Sequence, residues 1–161
     1  MLLHEHLENK LDKQPDFLFS EFQGRRITYR EANTLSNKLA HSLISAGLKK
    51  GDRFAFLSKN SSEMAFMYYA ASKVGIVPVP LNYRLADREW EYIVNDSQSK
   101  IMIIRGNEYC ERIQTSRDNY KHIQNFIYIE SSEFGSDWIE FYDWISDQPD
   151  EKPQVDVSAE D

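Results

Sequence analysis

The chain has 161 residues, 41% of them hydrophobic, and a formal net charge of −7. That length suits one domain able to bury roughly two thirds of its unfolded surface, and 9 Phe, 9 Tyr and 3 Trp supply the apolar area that disordered chains lack. The acidic balance excludes the broad cationic face of a non-specific nucleic-acid binder, and a single cysteine, Cys110, excludes an internal disulfide. The first ten residues, MLLHEHLENK, carry acids where a signal peptide carries cations. The most apolar stretch, residues 64–81, is interrupted by Lys73, Pro78 and Pro80, so no transmembrane segment is expected. The expected compartment is the reducing cytoplasm.

In chain order, Leu3, Leu7 and Leu11 recur every four residues and predict a short amphipathic helix ending before Pro15. Two apolar runs, Phe17 to Phe22 and Ile27 to Tyr29, flank Gln23-Gly24-Arg25 and predict a β-hairpin. Ala32, Leu35, Leu39, Leu43 and Ala46 then share one helical face, which Gly47 terminates. Strands are predicted at Arg53 to Ser58, Ile76 to Pro80, Lys100 to Ile104 and Asn125 to Ile129, with starts 23, 24 and 25 residues apart. Helical patterns lie between them at Ser61 to Val74, Asp87 to Asn95 and Asn107 to Ser116. This spacing is what a strand, a crossover helix and two loops require, so the predicted fold is α/β, a mostly parallel sheet flanked by helices with an N-terminal β-hairpin. Asn60 followed by Glu63 suggests a reciprocal cap at the start of the first crossover helix, and Gly75 its stop. Pro78 and Pro80 lack backbone donors and predict a strand that sits at an edge or meets a loop. Trp138, Phe141, Tyr142 and Ile145 suggest a further helical stripe. The last fifteen residues hold six acids against Lys152 and read as an extended segment.

The chemistry-bearing residues do not assemble into a known catalytic set. The glycines at 24, 47, 51, 75, 106 and 135 form neither G-x-G-x-x-G nor G-x-x-x-x-G-K-[ST], so no phosphate-binding loop is present in the sequence. Ser58 and Ser72 lack the glycines of a nucleophile elbow. His4 and His6 read as solvated polar residues rather than metal ligands, and His41 and His122 are isolated. Cys110 lies in a predicted helix beside Glu108 and Glu111, whose charges disfavour a reactive thiolate. Met64, Met67, Tyr68 and Ala71 have core spacing. No catalytic residue and no metal ligand is assigned.

Ile27-Thr28-Tyr29-Arg30-Glu31-Ala32-Asn33, then Gly47-Leu48-Lys49-Lys50-Gly51-Asp52-Arg53, then Ala71-Ser72-Lys73-Val74-Gly75-Ile76-Val77-Pro78-Val79-Pro80-Leu81 follow one another in order. Together they resemble the start of AMP-forming adenylating enzymes, the superfamily of acyl-CoA synthetases, luciferases and peptide-synthetase adenylation domains. Leu81-Asn82-Tyr83-Arg84-Leu85 is similar to the P-L-N-x-R-L of acyl- and aroyl-CoA synthetases, with asparagine where peptide-synthetase domains usually carry aspartate. Asp87-Arg88-Glu89-Trp90-Glu91-Tyr92-Ile93 resembles the helix that follows. The chain departs from the pattern at Ala32, Ser72 and Val74.

The resemblance implies the N-terminal portion of an adenylate-forming fold. Residues 1–146 would be its α/β subdomain, and residues 147–161 an acidic linker leading to a phosphate-binding loop that the chain does not contain. It further implies a fatty- or aryl-acid CoA ligase. The complete enzyme would use ATP, Mg2+ and CoA to make an acyl-adenylate and then a thioester from a carboxylic acid; this chain alone would bind none of these cofactors and have no activity. Arg84 is the one residue the resemblance brings near a ligand, as a contact for a CoA phosphate. The alternative is a stand-alone interaction or dimerisation module on the same scaffold, prone to self-association through apolar surface. A flavodoxin-like redox carrier is disfavoured, because no phosphate loop follows the first parallel strand.

Overall fold

A helix with one apolar stripe must bury it, and the first three helices do so in one layer. The computed structural model describes residues 1–132, 135 and 137–160, which fall into two units. The first comprises residues 1–51, 60–76 and 145–161 and holds α1 (Leu3–Lys13), the hairpin β1 (Leu18–Phe22) and β2 (Arg25–Thr28), α2 (Tyr29–Ser45) and α3 (Ser62–Val74). Leu7 of α1, Leu39 and Leu43 of α2 and Phe66 and Met67 of α3 are buried. Phe19 of β1 packs its ring against Phe66 and Tyr69 of α3 and Tyr29 of α2.

The hairpin turns on Gln23 and Gly24, at φ 51° and 79°. Two successive left-handed residues match the twist of the paired strands, and glycine takes the second position without steric cost. The T-Y-R-E run is a capping box. Thr28 Oγ1 accepts from the Glu31 N–H at 3.2 Å, while the Glu31 carboxylate accepts from the Thr28 N–H at 2.8 Å. The cap expected at Asn60 is not formed. Ser61 takes the N-cap position without a side-chain cap bond, and the Glu63 carboxylate lies 3.6 Å from the Arg25 guanidinium of the hairpin. With Ser61 as N-cap, Glu63 is the second helical residue rather than the third, out of register for the reciprocal cap.

The second unit comprises residues 52–59 and 77–144. Its sheet is parallel throughout, in the order β4-β3-β5-β6-β7. The strands are β3 (Arg53–Leu57), β4 (Val77–Leu81), β5 (Ile101–Arg105), β6 (Asn125–Ile129) and β7 (Trp138–Glu140). Helices α4 (Asp87–Asp96) and α5 (Asn107–Thr115) cover one face, where Trp90, Val94, Cys110 and Ile113 meet Ala55, Leu57, Met102, Ile104 and Phe126. The fold is therefore α/β, with a parallel five-stranded sheet flanked by helices and an antiparallel hairpin.

β4 is an edge strand, as its prolines require. The Val77 N–H donates to the Asp52 carbonyl at 2.8 Å, so alternation turns residues 77, 79 and 81 toward β3 and residues 78 and 80 outward. Both prolines thus occupy positions whose N–H would face away from the sheet, and the edge presents no such donor to an added strand.

The helical stripe expected from Trp138 begins three residues later. Trp138 lies in β7, opposite Phe126 of β6 with ring centroids 5.2 Å apart, and α6 (Phe141–Ser146) follows. A three-residue strand has no periodicity of its own; pairing with β6 decides its state. Beyond α6 the described residues 147–160 form no helix or strand, and Asp161 lies outside the described residues.

Gly75 ends α3 at φ 67°, and a Cβ there would stand 2.9 Å from Lys50 Cγ. The Lys50 side chain is exposed and can rotate, so backbone strain is the larger effect. Gly75→Val is expected to cost about 2–3 kcal/mol, against less for Gly75→Asn, because asparagine tolerates the left-handed region. Thermal unfolding checks this, and a Val variant that melts with the parent would refute the junction.

Candidate functional site

In a parallel sheet, ligands settle at the carboxyl ends of the strands where the chain order reverses. Here the chain runs from β3 outward to β4 and from β5 in the opposite direction to β6, so the reversal lies between β3 and β5. At that end, residues 58–59 follow β3, residues 82–85 follow β4 and residues 106–107 follow β5.

The loop after β4 is built by Asn82. Its Oδ1 accepts the Arg84 N–H at 3.0 Å, and its carbonyl accepts both the Leu85 N–H at 3.1 Å and the Trp90 Nε1–H at 2.8 Å. A short polar side chain that bonds the backbone two residues on is the usual means of fixing a tight turn. The turn presents Tyr83, whose ring centroid is 6.3 Å from that of Tyr109 on α5. The Lys59 ammonium stands over both rings, 5.6 Å from Tyr83 and 5.8 Å from Tyr109, and the Arg84 guanidinium lies 5.5 Å from the Tyr83 centroid. Among the described residues, neither Lys59 nor Arg84 has an ion-pair partner. Arg105, by contrast, is bound to Glu130. Asn107 is engaged by its neighbours: its Oδ1 accepts from the hydroxyls of Ser131 at 2.9 Å and Ser132 at 2.7 Å.

The result is two cations held on aromatic faces at the carboxyl edge. Such an arrangement suits an anion, with the guanidinium fork offering paired donors to a phosphate. Of these residues Arg84 is assigned from the sequence, through the resemblance; Lys59 and Tyr109 are brought beside it by the fold. They meet only through the strand order, which no local pattern encodes.

The other candidates fall elsewhere. His4 is 3% exposed, not solvated as expected. Its Nδ1 lies 2.9 Å from Ser72 Oγ, and burial together with the Lys152 charge pushes the imidazole below its ordinary value. His4 and Leu7, three residues apart on one face of α1, are its buried residues, while Leu3 of the expected stripe is exposed, so the inner face is turned from Leu3 toward His4. His6 and His122 are exposed, and His41 Nε2 donates to the Glu151 carbonyl at 2.9 Å. Among the described residues, no group of three His, Cys, Asp or Glu is placed to hold a metal ion. Cys110 is buried, and burial, with a lesser contribution from Glu111, pushes its thiol up to about 11. Met67 and Ala71 are core residues. Lys73, which interrupts an apolar run and stands in the Ala71–Leu81 motif, is completely buried. Its Nζ donates to Glu8 Oε1 at 2.7 Å and to Asn33 Oδ1 at 3.0 Å.

A profile of the AMP-binding enzyme family matches residues 7–161. The chain belongs to that family. Among curated relatives of this AMP-binding family chain, the long-chain-fatty-acid–CoA ligase FadD13 of Mycobacterium tuberculosis is 46% identical over 78 residues, 48% of this chain and 16% of the ligase. A medium/long-chain-fatty-acid–CoA/3-oxocholest-4-en-26-oate–CoA ligase of Mycobacterium marinum is 23% identical over 160 residues, 95% of this chain and 28% of that protein. Among solved structures, the N-terminal domain of FACL13 from Mycobacterium tuberculosis superposes with a TM-score of 0.83 at 28% identity, over 97% of this chain and 38% of that one. The anthranilate CoA ligase AuaEII in complex with anthranoyl-AMP gives a TM-score of 0.88 at 23% identity, over 94% of this chain and 29% of that one. The AMP-binding family chain thus spans less than a third of the length of these curated ligases. Among its described residues, no helix is long and apolar enough to cross a membrane.

Proposed function

We propose that this chain is the N-terminal scaffold of an AMP-forming ligase that activates a fatty or aryl carboxylic acid and transfers it to CoA. The supporting observation is the 46% identity to a fatty-acid–CoA ligase within a family match that runs from residue 7 to residue 161. In the complete enzyme a carboxylate oxygen bonds the α-phosphorus of ATP as pyrophosphate leaves; the CoA thiolate then attacks the acyl carbon and AMP leaves. No ligand set for magnesium is drawn from this chain, since its described residues bring no carboxylate cluster together. Residues 1–146 serve as the supporting subdomain and residues 147–161 as the linker toward the nucleotide-binding part. Alone, the chain has no phosphate loop and no turnover. Arg84, with Lys59 beside it over Tyr83, contacts a CoA phosphate.

The test is a chimaera in which this chain replaces the matching N-terminal part of FadD13. It is expected to form acyl-CoA, while the chain by itself releases no pyrophosphate from ATP and a fatty acid. Arg84→Ala in the chimaera should raise the KM for CoA about tenfold, as loss of one charge-assisted contact implies, with the KM for ATP unchanged. Pyrophosphate release by the isolated chain, or an Arg84→Ala chimaera with an unaltered KM for CoA, overturns the corresponding part of the reading.

A further inference from the structure

The extended segment after α6 is fastened along α1 and α2 by side chains that read its backbone. Lys38 Nζ donates to the Ser146 carbonyl at 2.9 Å, Asn37 Nδ2 to the Asp150 carbonyl at 2.7 Å and His41 Nε2 to the Glu151 carbonyl at 2.9 Å. Lys38 also stands 3.2 Å from the Asp150 carboxylate, and Pro153 is buried. One residue later than these contacts, Lys152 Nζ reaches Glu8 Oε2 at 3.1 Å, and the other oxygen of the same carboxylate receives the buried Lys73. Asn37, Lys38 and His41 lie on successive turns of one face of α2, which is why a single extended strand can meet all three.

We propose that residues 146–153 form a strap latched by Glu8, which is shared between an immovable lysine of the core and a releasable lysine of the strap. The Lys73 side chain is fully buried and holds Glu8 in place; Lys152 is 39% exposed at its side chain and can leave. The groups facing the latch are His4 and Glu8 of α1, Asn33, Asn37, Lys38 and His41 of α2, Ser72 and Lys73 of α3, and Asp150, Glu151 and Lys152 of the strap itself. Of these, Glu8 bears the opposite charge to both lysines, and Asp150 the opposite charge to Lys38. Burial acts to raise the Glu8 carboxyl, but hydrogen bonds and charge from Lys73 and then Lys152 bring it below the usual glutamate value. The sign follows: Lys73 lowers the Glu8 carboxyl whether the strap is closed or open, so only the further lowering by Lys152 favours closure, and that preference is lost as the pH falls through the closed-state value. The latch is thus closed at neutral pH and opens in acid.

A nitroxide at Gln154→Cys reads strap mobility, because Cys110 is buried and takes no label. At neutral pH the label should be immobilised in the parent chain. Lys152→Met should raise the mobile fraction roughly threefold to fivefold without a change in melting temperature, as a half-exposed ion pair contributes modestly. Asn37→Asp should do the same by removing the donor to the Asp150 carbonyl. Lowering the pH to about 4, near the ordinary glutamate value, should not yet free the parent strap, and further acidification should free it before the helices unfold by circular dichroism. A Lys152→Met chain with the parent's label mobility at neutral pH, or a parent strap released only together with the helices, overturns the latch. Neither outcome bears on the ligase assignment, which the chimaera tests separately.

Discussion

Trp90→Ala is expected to lower the unfolding free energy by about 3–5 kcal/mol, the usual range for emptying a buried aromatic site. Trp90 has 0% exposure, lies edge-on to Tyr109 at 6.1 Å and carries the Arg112 guanidinium 4.0 Å above its ring. Its indole N–H also donates to the Asn82 carbonyl, so truncation both opens a cavity beneath the sheet's helices and releases the turn that carries Arg84. Trp90→Phe separates the two effects. It keeps most of the ring area and deletes the hydrogen bond, and should cost about 1 kcal/mol. Urea unfolding followed by circular dichroism gives both numbers. A Trp90→Ala chain within 1 kcal/mol of the parent would show that this packing does not stabilise the unit, contrary to its burial.

Glu8→Ala is expected to have the second largest effect, through a residue it does not contain. Removing this carboxylate leaves the Lys73 ammonium buried with Asn33 as its remaining hydrogen-bond partner. An uncompensated buried charge costs about 3–5 kcal/mol; because Glu8 itself is 28% exposed, partial hydration brings the expected loss to about 2–3 kcal/mol. Lys73 answers in its own titration. Burial lowers it below the ordinary lysine value, with Glu8 opposing that shift, so the Glu8→Ala chain should regain stability as the pH rises and Lys73 gives up its proton. The Lys73→Met/Glu8→Leu double substitution removes both charges and should recover most of the loss. A double variant no better than Glu8→Ala would assign the loss to packing rather than charge.

Local chemistry carried a large share of the fold. The hydrophobic period of residues 35–43, the stops at Gly47 and Gly75, and four strands at intervals near two dozen residues were each readable because a crossover unit has a characteristic length. Thr28 and Glu31 offered a capping signal that went unread there, although T-x-x-E before an apolar run is its usual form. Asn60 and Glu63 offered a similar signal that misled, since the helix starts from Ser61 and leaves Glu63 one position short of the reciprocal cap. β7 could not be found from its three residues, and His4 was misplaced because its neighbours are polar while its helical face is not.

What the amino-acid order determined by itself is most of the pieces: the first five helices, the hairpin and four of the five sheet strands, and that the Pro78 and Pro80 strand must stand at an edge or meet a loop. Those outcomes depend on dihedral preference, missing donors and the repeat of apolar side chains, all of which act over a few residues. Tertiary structure alone decided the meetings. It set Lys59 over one tyrosine from a loop and one from α5, buried Lys73 against a carboxylate 65 positions away, and bound Lys152 to that same carboxylate across 144. Charge and aromatic contacts act through space at a few ångströms, so partners that distant along the chain become neighbours only once strand order and helix packing have been fixed.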